Sequence, residues 1–148
     1  MRIYLDVCCL NRPFDDLTQE RIQFESDAIL AVLSRCQSEK WILVSSEIVD
    51  LEINKIRNAE KLRRILGLLS LTGEKLVLGE AAIARSLELQ DSGIRPMDSL
   101  HLAVAEIAKV DVLLTTDDTF LHIARQLNLD ITVANPVKWY MEVIQNER

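Results

Sequence analysis

Apolar positions along the chain follow two alternating spacings, and each spacing predicts one kind of element. Short apolar runs bounded by polar residues predict strands, whereas apolar residues three and four positions apart predict helices. The predicted strands are 2–6, 41–45, 76–78, 110–116 and 131–134. The predicted helices are 20–36, 48–56, 58–70, 80–90, 100–108 and 119–127, with a last helix after Pro136.

The order of these elements indicates the fold class. Short apolar strands that alternate with helices are typical of a parallel sheet covered by helices on both faces. The segment 100–108 is apolar almost all round, as expected of a helix buried between layers. We therefore predict an α/β fold with a central parallel sheet.

Composition agrees with a folded chain of ordinary domain size. The 148 residues are 49% hydrophobic and 27% charged, which excludes a disordered or collagen-like protein. This length suits one hydrophobic core, so we expect a single domain over residues 1–148. The formal net charge of −6 excludes the broad positive field of a protein that binds nucleic acid by charge alone.

Cysteine usage and hydropathy bear on the compartment. The three cysteines are odd in number and form no C-x-x-C pair, so reduced thiols are expected rather than a zinc or disulfide framework. Residues 1–10 lack the apolar core of a secretory signal, and no apolar run approaches the roughly 20 residues of a membrane span. We expect a cytoplasmic protein without a membrane segment.

Two acidic residues follow predicted strands, at the edge where open parallel sheets form their sites. Asp6 ends the first strand, and Asp117 follows the strand that contains Leu113 and Leu114. Each has a structural interpretation as well. Asp6 can make an Asx turn, and either Asp117 or Asp118 can cap the next helix.

Two further acids fall on apolar helical stretches. Glu52 lies at helical spacing from Ile48 and Ile56, which places its carboxylate in the stripe that faces the sheet. A buried carboxylate must be neutralised, paired or bound to a metal, and the structural alternative is an ion pair with Lys55. Asp98 opens the apolar helix, where its structural role would be to favour the helix dipole.

Four acids from four separated segments suit a hard divalent cation. Mg²⁺ and Mn²⁺ prefer oxygen ligands, and the chain has no histidine cluster that would favour zinc. Clustered carboxylates raise one another's pKa, and bound cations relieve that conflict. The expected cofactor is therefore Mg²⁺ or Mn²⁺.

The motifs around these acids resemble those of the PIN-domain nucleases. They are YLDVC, SSEIVDLEI, RPMDSLHLAVAE and VLLTTDDTFL, and they follow the family's order through nearly the whole chain. The resemblance implies a three-layer α/β/α sandwich with a central parallel sheet. It also implies Mg²⁺- or Mn²⁺-dependent cleavage of RNA, as in toxins of the VapC type from toxin–antitoxin pairs.

Carried over residue by residue, the family's catalytic positions fall on Asp6, Glu52, Asp98 and Asp117. Asp6, Asp98 and Asp117 are then the expected metal ligands, with Glu52 as a further ligand or as a base acting through water. The family also implies a homodimer and an antitoxin partner.

The chain departs from the family pattern after the first acid. The family often places Ser or Thr just after it, and this chain has Val7, Cys8 and Cys9. Glu47 competes for the second acidic position but suits an exposed first turn, and Asp118 suits helix capping. These two residues rank below Glu52 and Asp117.

RNA binding requires positive charge near the acids. Residues 55–64 hold five basic residues and one acid, the main local concentration of positive charge. Within it, Lys55 and Arg57 are candidate substrate-binding residues, and Arg12 lies just beyond the first acid. The structural alternative for all three is a solvated helix face or loop.

Other function classes remain open from the residues. One is a catalytically inactive PIN-like domain that binds RNA or a protein partner. Aspartyl-phosphate chemistry would require an Asp-x-Asp pair after the first strand, and Cys8 occupies the second position. His101, three residues after Asp98, can approach the site, although packing is the commoner role of such a histidine.

Overall fold

Five strands form the central sheet of the computed structural model, which describes residues 1–147. They lie in the order β3-β2-β1-β4-β5, and every pairing is parallel. The strands are β1 (Arg2–Leu5), β2 (Ile42–Ser46), β3 (Thr72–Leu76), β4 (Val112–Leu114) and β5 (Thr132–Ala134).

Helices cover the sheet as the three-layer α/β/α prediction requires, and that fold class is confirmed. Helices α5 and α6 pack against each other, and α2 packs against α8. A short 3₁₀ helix at Arg12–Phe14 joins the first two helices. The helices are α1 (Val7–Asn11), α2 (Glu20–Gln37), α3 (Glu47–Ile53), α4 (Ala59–Leu69), α5 (Glu80–Asp91), α6 (Pro96–Ile107), α7 (Asp118–Arg125) and α8 (Pro136–Asn146).

The central strands are short and apolar because helices bury them on both faces. The side chains of Ile3, Tyr4, Leu113 and Leu114 have no measurable solvent exposure. Such strands read as continuous apolar runs rather than alternating ones. This is why the sequence pattern located β1, β2 and β4 correctly.

The third strand was misplaced by that same pattern. We predicted 76–78, whereas β3 covers Thr72–Leu76. β3 lies at the edge of the sheet and pairs only with β2, and its residues alternate between partial burial and exposure. An edge strand needs few apolar residues, so the apolar run marks its end instead of its centre.

Helix α3 is shorter than its apolar spacing predicts. The predicted helix reaches Ile56, whereas α3 ends at Ile53. Asn54 terminates it, and the Asn54 N–H donates to the Asp50 carbonyl as a C-cap. At its other end, Ser46 is the N-cap.

The strand order reverses between β1 and β4. From β1 the chain moves through β2 to β3 on one side, then returns to β4 and β5 on the other. In open α/β sheets, a crevice forms at this reversal outside the carboxyl ends of the strands. Asp6 follows β1 at this crevice, and Thr115 follows β4.

Among residues 1–147, no helix is both long enough and apolar enough to cross a bilayer.

Candidate metal centre

Asp6 lies at the reversal point and its carboxylate is held in place by the fold. Its backbone N–H donates to the Leu114 carbonyl at 3.0 Å, which extends the β1–β4 pairing by one residue. Carboxylate atom Oδ1 accepts the Val7 N–H at 2.8 Å and caps α1. Atom Oδ2 accepts the Thr115 hydroxyl at 2.9 Å and the Cys8 thiol at 3.3 Å.

These contacts explain how the chain manages without Ser or Thr directly after Asp6. The Thr115 hydroxyl reaches the same carboxylate from the end of the neighbouring strand. Cys8 adds a weaker donor. Sequence reasoning missed Thr115, although its place between β4 and Asp117 was a usable signal.

Glu52 lies beside Asp6 and is only partly buried, with 29% of its side chain exposed. Its Oε1 is 2.8 Å from His101 Nε2, and that nitrogen is 3.9 Å from Asp6 Oδ1. One ligand-type atom from each of these three residues lies within 4.8 Å of the others. Over the described part of the chain, the partner of Glu52 is therefore His101 and not the Lys55 of the alternative interpretation.

Asp98 and Asp117 form the other half of the centre, and Arg95 joins them. Arg95 Nη2 is 2.9 Å from Asp98 Oδ2 and also contacts Asp117 Oδ2. Asp117 Oδ1 meanwhile caps α7 by accepting the N–H groups of Thr119 and Phe120. Asp117, not Asp118, is thus the N-cap of α7, and it keeps one oxygen directed toward Arg95.

The electrostatics link the two halves. Burial raises the pKa of Asp98, and the negative charges of Asp6 and Asp117 raise it further against the opposing effect of Arg95. The hydrogen bond to Asp98 in turn raises the pKa of Arg95. The charges of Asp6 and Asp117 therefore act on Asp98 and connect the two halves of the centre.

The donor chemistry fits a hard divalent cation. Carboxylate oxygens of Asp6 and Glu52 lie together beside His101, and those of Asp98 and Asp117 meet at Arg95. A positive group, the Arg95 guanidinium, already sits between two of them. Mg²⁺ and Mn²⁺ are the ions for which such an oxygen-rich set is suited.

The predicted substrate-binding residues are divided by the fold. Lys55 lines a surface cavity of about 580 Å³ together with Glu52, Arg95 and Asp98. Arg57 is exposed on the loop between α3 and α4.

Arg12 has other partners. Its guanidinium donates to Glu25 Oε1 and to Asp15 Oδ2, each at 2.9 Å. Glu25 is almost fully buried, so this pair neutralises a carboxylate inside the fold. The Arg12 charge is therefore compensated within the protein.

The lower-ranked acids also have partners outside the cluster. Glu47 is exposed, and its Oε1 accepts the Leu78 N–H at 3.0 Å, which ties α3 to the chain after β3. Asp118 pairs with Arg21 at 2.7 Å. Neither contact directs these carboxylates at the other acids.

Comparison with known proteins assigns the class that this fold and site define. The PIN domain model matches residues 3–126, and the chain belongs to the PIN domain family, whose members are generally nucleases. No protein with a curated description matches the chain significantly by sequence.

Solved structures resemble this fold at low sequence identity. A chain of VapBC2 from Rickettsia felis, bound to a DNA fragment from their promoter, has a TM-score of 0.61 and 18% identity over 91% of this chain and 98% of that one. A chain of DNA-bound VapBC from Salmonella typhimurium has a TM-score of 0.63 and 16% identity over 92% of this chain and 98% of that one. This likeness shows a shared fold.

Proposed function

We propose that the protein is a metal-dependent endoribonuclease that hydrolyses RNA phosphodiester bonds at the acidic cluster. The observation that carries this proposal is the convergence of Asp6, Glu52, Asp98 and Asp117 at the sheet reversal. Membership of a family that generally consists of nucleases supports the reaction class.

The proposed metal ligands are Asp6, Asp98 and Asp117, and Glu52 is a further ligand or a base acting through water. A bound Mg²⁺ or Mn²⁺ would supply water activation and neutralisation of charge on the phosphate. Thr115 holds the Asp6 carboxylate in position through its hydroxyl. Arg95 keeps Asp98 and Asp117 adjacent before an ion binds.

RNA would approach across the cavity next to these acids. Lys55 lies in its wall and Arg57 follows two residues later, so both can meet phosphates. Arg12 belongs to this proposal only if its ion pairs with Asp15 and Glu25 open. An acidic chain needs the cation and these few basic side chains to tolerate a polyanion.

The proposed setting is a toxin–antitoxin pair. The structures that share this fold carry the name VapBC, which supports an antitoxin partner. The homodimer is proposed from the family resemblance alone. The free thiols of Cys8, Cys9 and Cys36 support a cytoplasmic location, where such thiols persist.

The test is cleavage of single-stranded RNA by purified protein with Mn²⁺ or Mg²⁺ and with EDTA. We expect cleavage only with the metal, and its loss in Asp98→Asn. Asp27→Asn is the matched control because Asp27 lies exposed on α2 and bonds to Gln23. Full activity in EDTA, or unchanged activity in Asp98→Asn, would contradict the mechanism.

The second candidate is a catalytically inactive PIN-like module that binds RNA or a protein partner. The bridge from Arg95 to Asp98 and Asp117 favours it, because a guanidinium can neutralise these acids without any metal. Absence of Mn²⁺ binding by calorimetry, together with retained RNA binding, would select this function.

A further inference from the structure

A row of buried polar side chains, joined by hydrogen bonds, lies behind the acidic cluster and has no role in the function proposed above. Ser46, Tyr4 and His101 have no measurable exposure. Ser46 Oγ lies 2.6 Å from Tyr4 Oη, Tyr4 Oη lies 2.6 Å from His101 Nδ1, and His101 Nε2 lies 2.8 Å from Glu52 Oε1. Each buried polar group needs a hydrogen-bond partner, so the positions of the protons in this row can be deduced.

At the Ser46 end of the row, a helix cap fixes the direction of the hydrogen bond. Ser46 Oγ accepts the N–H groups of Ile48 at 3.1 Å and Val49 at 3.3 Å as the N-cap of α3. These two bonds use both lone pairs of the hydroxyl oxygen. The Ser46 proton must then point to Tyr4 Oη, because otherwise it would be buried without an acceptor.

The other end is a carboxyl group. Its Oε1 is an acceptor, so the His101 nitrogen 2.8 Å from Glu52 carries a proton in this order. With the proton on His101 Nε2, the neutral ring presents a lone pair at Nδ1, which accepts the Tyr4 hydroxyl. Tyr4 Oη receives the Ser46 proton, so its own proton has Nδ1 as its acceptor.

Both ends require the same direction of donation. Ser46 donates to Tyr4, Tyr4 donates to His101 Nδ1, and His101 Nε2–H donates to Glu52. The reverse order would leave the Ser46 proton buried without a partner and set a bare nitrogen against a carboxylate, so both ends would lose a hydrogen bond.

We propose that this row of hydrogen bonds makes His101 a positioning residue, which donates from Nε2 to Glu52 and holds that carboxylate beside the proposed metal pocket. To bind a metal through Nε2, His101 would have to move its proton to Nδ1 and reverse the hydrogen bonds back to Ser46. The role toward the metal rests on the proposed function, whereas the proton order does not.

The proton order is tested directly by nitrogen-15 NMR of the imidazole rings in the metal-free protein. We expect the His101 signals of an Nε2–H ring, and we expect them to persist when Mg²⁺ is added. His122, the other histidine, provides the internal comparison. An Nδ1–H ring, a doubly protonated ring, or loss of the Nε2 proton on adding Mg²⁺ overturns the proposal.

Tyr4→Phe tests the middle link. Removing the hydroxyl should move the Nδ1 resonance toward that of an unbonded ring nitrogen, while the Nε2–H signal stays because Glu52 still requires it. An unchanged Nδ1 resonance in a folded variant would show that Tyr4 does not donate to His101.

Two substitutions at His101 separate positioning from metal ligation and from packing, with Mn²⁺ and Zn²⁺ binding measured by calorimetry. Gln places an amide N–H near the Nε2 position, whereas Leu fills the space without a donor. We expect His101→Gln to stay within about threefold of the parent Mn²⁺ affinity and His101→Leu to lose about tenfold, roughly one lost charge-assisted hydrogen bond.

Two patterns of affinity would assign His101 a role other than positioning. Equal loss in both variants, with the larger loss for Zn²⁺, would make His101 a metal ligand and overturn the proposal. Unchanged Mn²⁺ affinity in His101→Leu would make it a packing residue. If the parent protein binds no Mn²⁺, the proposed function fails, and the NMR result alone then decides the proton order.

Discussion

Arg95 is the residue that determines how the metal-free centre is held together. Its guanidinium contacts Asp98 and Asp117, although 65% of its side chain is exposed. Asp98 is much less exposed, and its raised pKa shows that burial and the neighbouring acids outweigh the help from Arg95. The arginine thus compensates only part of the charge that a divalent ion would neutralise.

Replacing Arg95 should strengthen metal binding, because the guanidinium competes for the same two carboxylates. For Arg95→Met we expect Mn²⁺ affinity to rise by about three- to tenfold, since exposed ion pairs contribute up to about 1 kcal/mol each. The Mn²⁺ affinities of the parent protein and the variant are measured by calorimetry. Arg63→Met is the control, because Arg63 pairs with Glu60 on the exposed face of α4. Equal or weaker affinity in Arg95→Met would show that Arg95 supports the ion instead.

Asp98→Asn should stabilise the metal-free protein at neutral pH. A carboxyl whose folded pKa is raised contributes stability below its unfolded pKa and loses it as pH rises through the folded value. Asn resembles the protonated form, so its advantage should appear at pH 7 and vanish near pH 3. We expect a Tm increase on the order of 2 °C in EDTA by calorimetry. A lower Tm at pH 7 would show that the Arg95 contact dominates.

At the scale of elements, strand ends and helix starts supply the centre. Asp6 caps α1 after β1, and Asp117 caps α7 after β4. Each of these acids satisfies backbone N–H groups with one oxygen and leaves the other directed elsewhere. In each of these side chains, capping therefore uses one oxygen, and the other oxygen is the one available for the metal ligation proposed above.

This dual role predicts different stabilities for two substitutions at Asp117. Asn keeps an oxygen that can cap α7, whereas Ala removes both the cap and the charge. We expect Asp117→Ala to unfold about 2–4 °C below Asp117→Asn, since a lost cap costs about 1 kcal/mol. Both should lose RNA cleavage. Equal Tm values in thermal denaturation would mean that Asp117 does not cap α7 in solution.

The same elements show what the sequence can predict. Asp6 and Asp117 could be placed at this edge because Asp6 directly follows β1 and Asp117 comes three residues after β4, and the ends of parallel strands meet at one edge of the sheet. Glu52 and Asp98 were found from helical spacing, which predicts the face of the helix on which a side chain lies but not the residue that it contacts. The spacing put Glu52 toward the core and could not specify its contact with His101.

Contacts between distant segments were missed for a physical reason. Thr115 reaches Asp6 across 109 positions, and Tyr4 reaches His101 across 97. The β1–β4 register brings the first pair together, and the position of α6 beside β1 brings the second together. Neither is written in local periodicity. Arg95 was the exception that could have been found, since Asp98 lies three residues later at helical spacing.

At the scale of the whole molecule, an acidic protein must hold a polyanion with few positive groups. The net charge is −6, and the carboxylates of the proposed centre concentrate part of that negative charge where the RNA would bind. Lys55 lies in the cavity wall beside Glu52 and Asp98, and exposed Arg57 follows it. RNA affinity should therefore depend on a small number of local phosphate contacts and on bound metal, rather than on overall charge.

Lys55→Ala and Arg57→Ala test this dependence through the effect of salt. Each lost contact to single-stranded RNA should lower the slope of log affinity against log salt by about 0.7 and weaken binding across sequences. Binding is measured by fluorescence anisotropy in an Asp98→Asn background, which prevents cleavage. Lys138→Ala on exposed α8 is the matched control and should leave the slope unchanged. Equal slopes in all three variants would place the RNA on another face, because a phosphate contact cannot be lost without releasing fewer counterions.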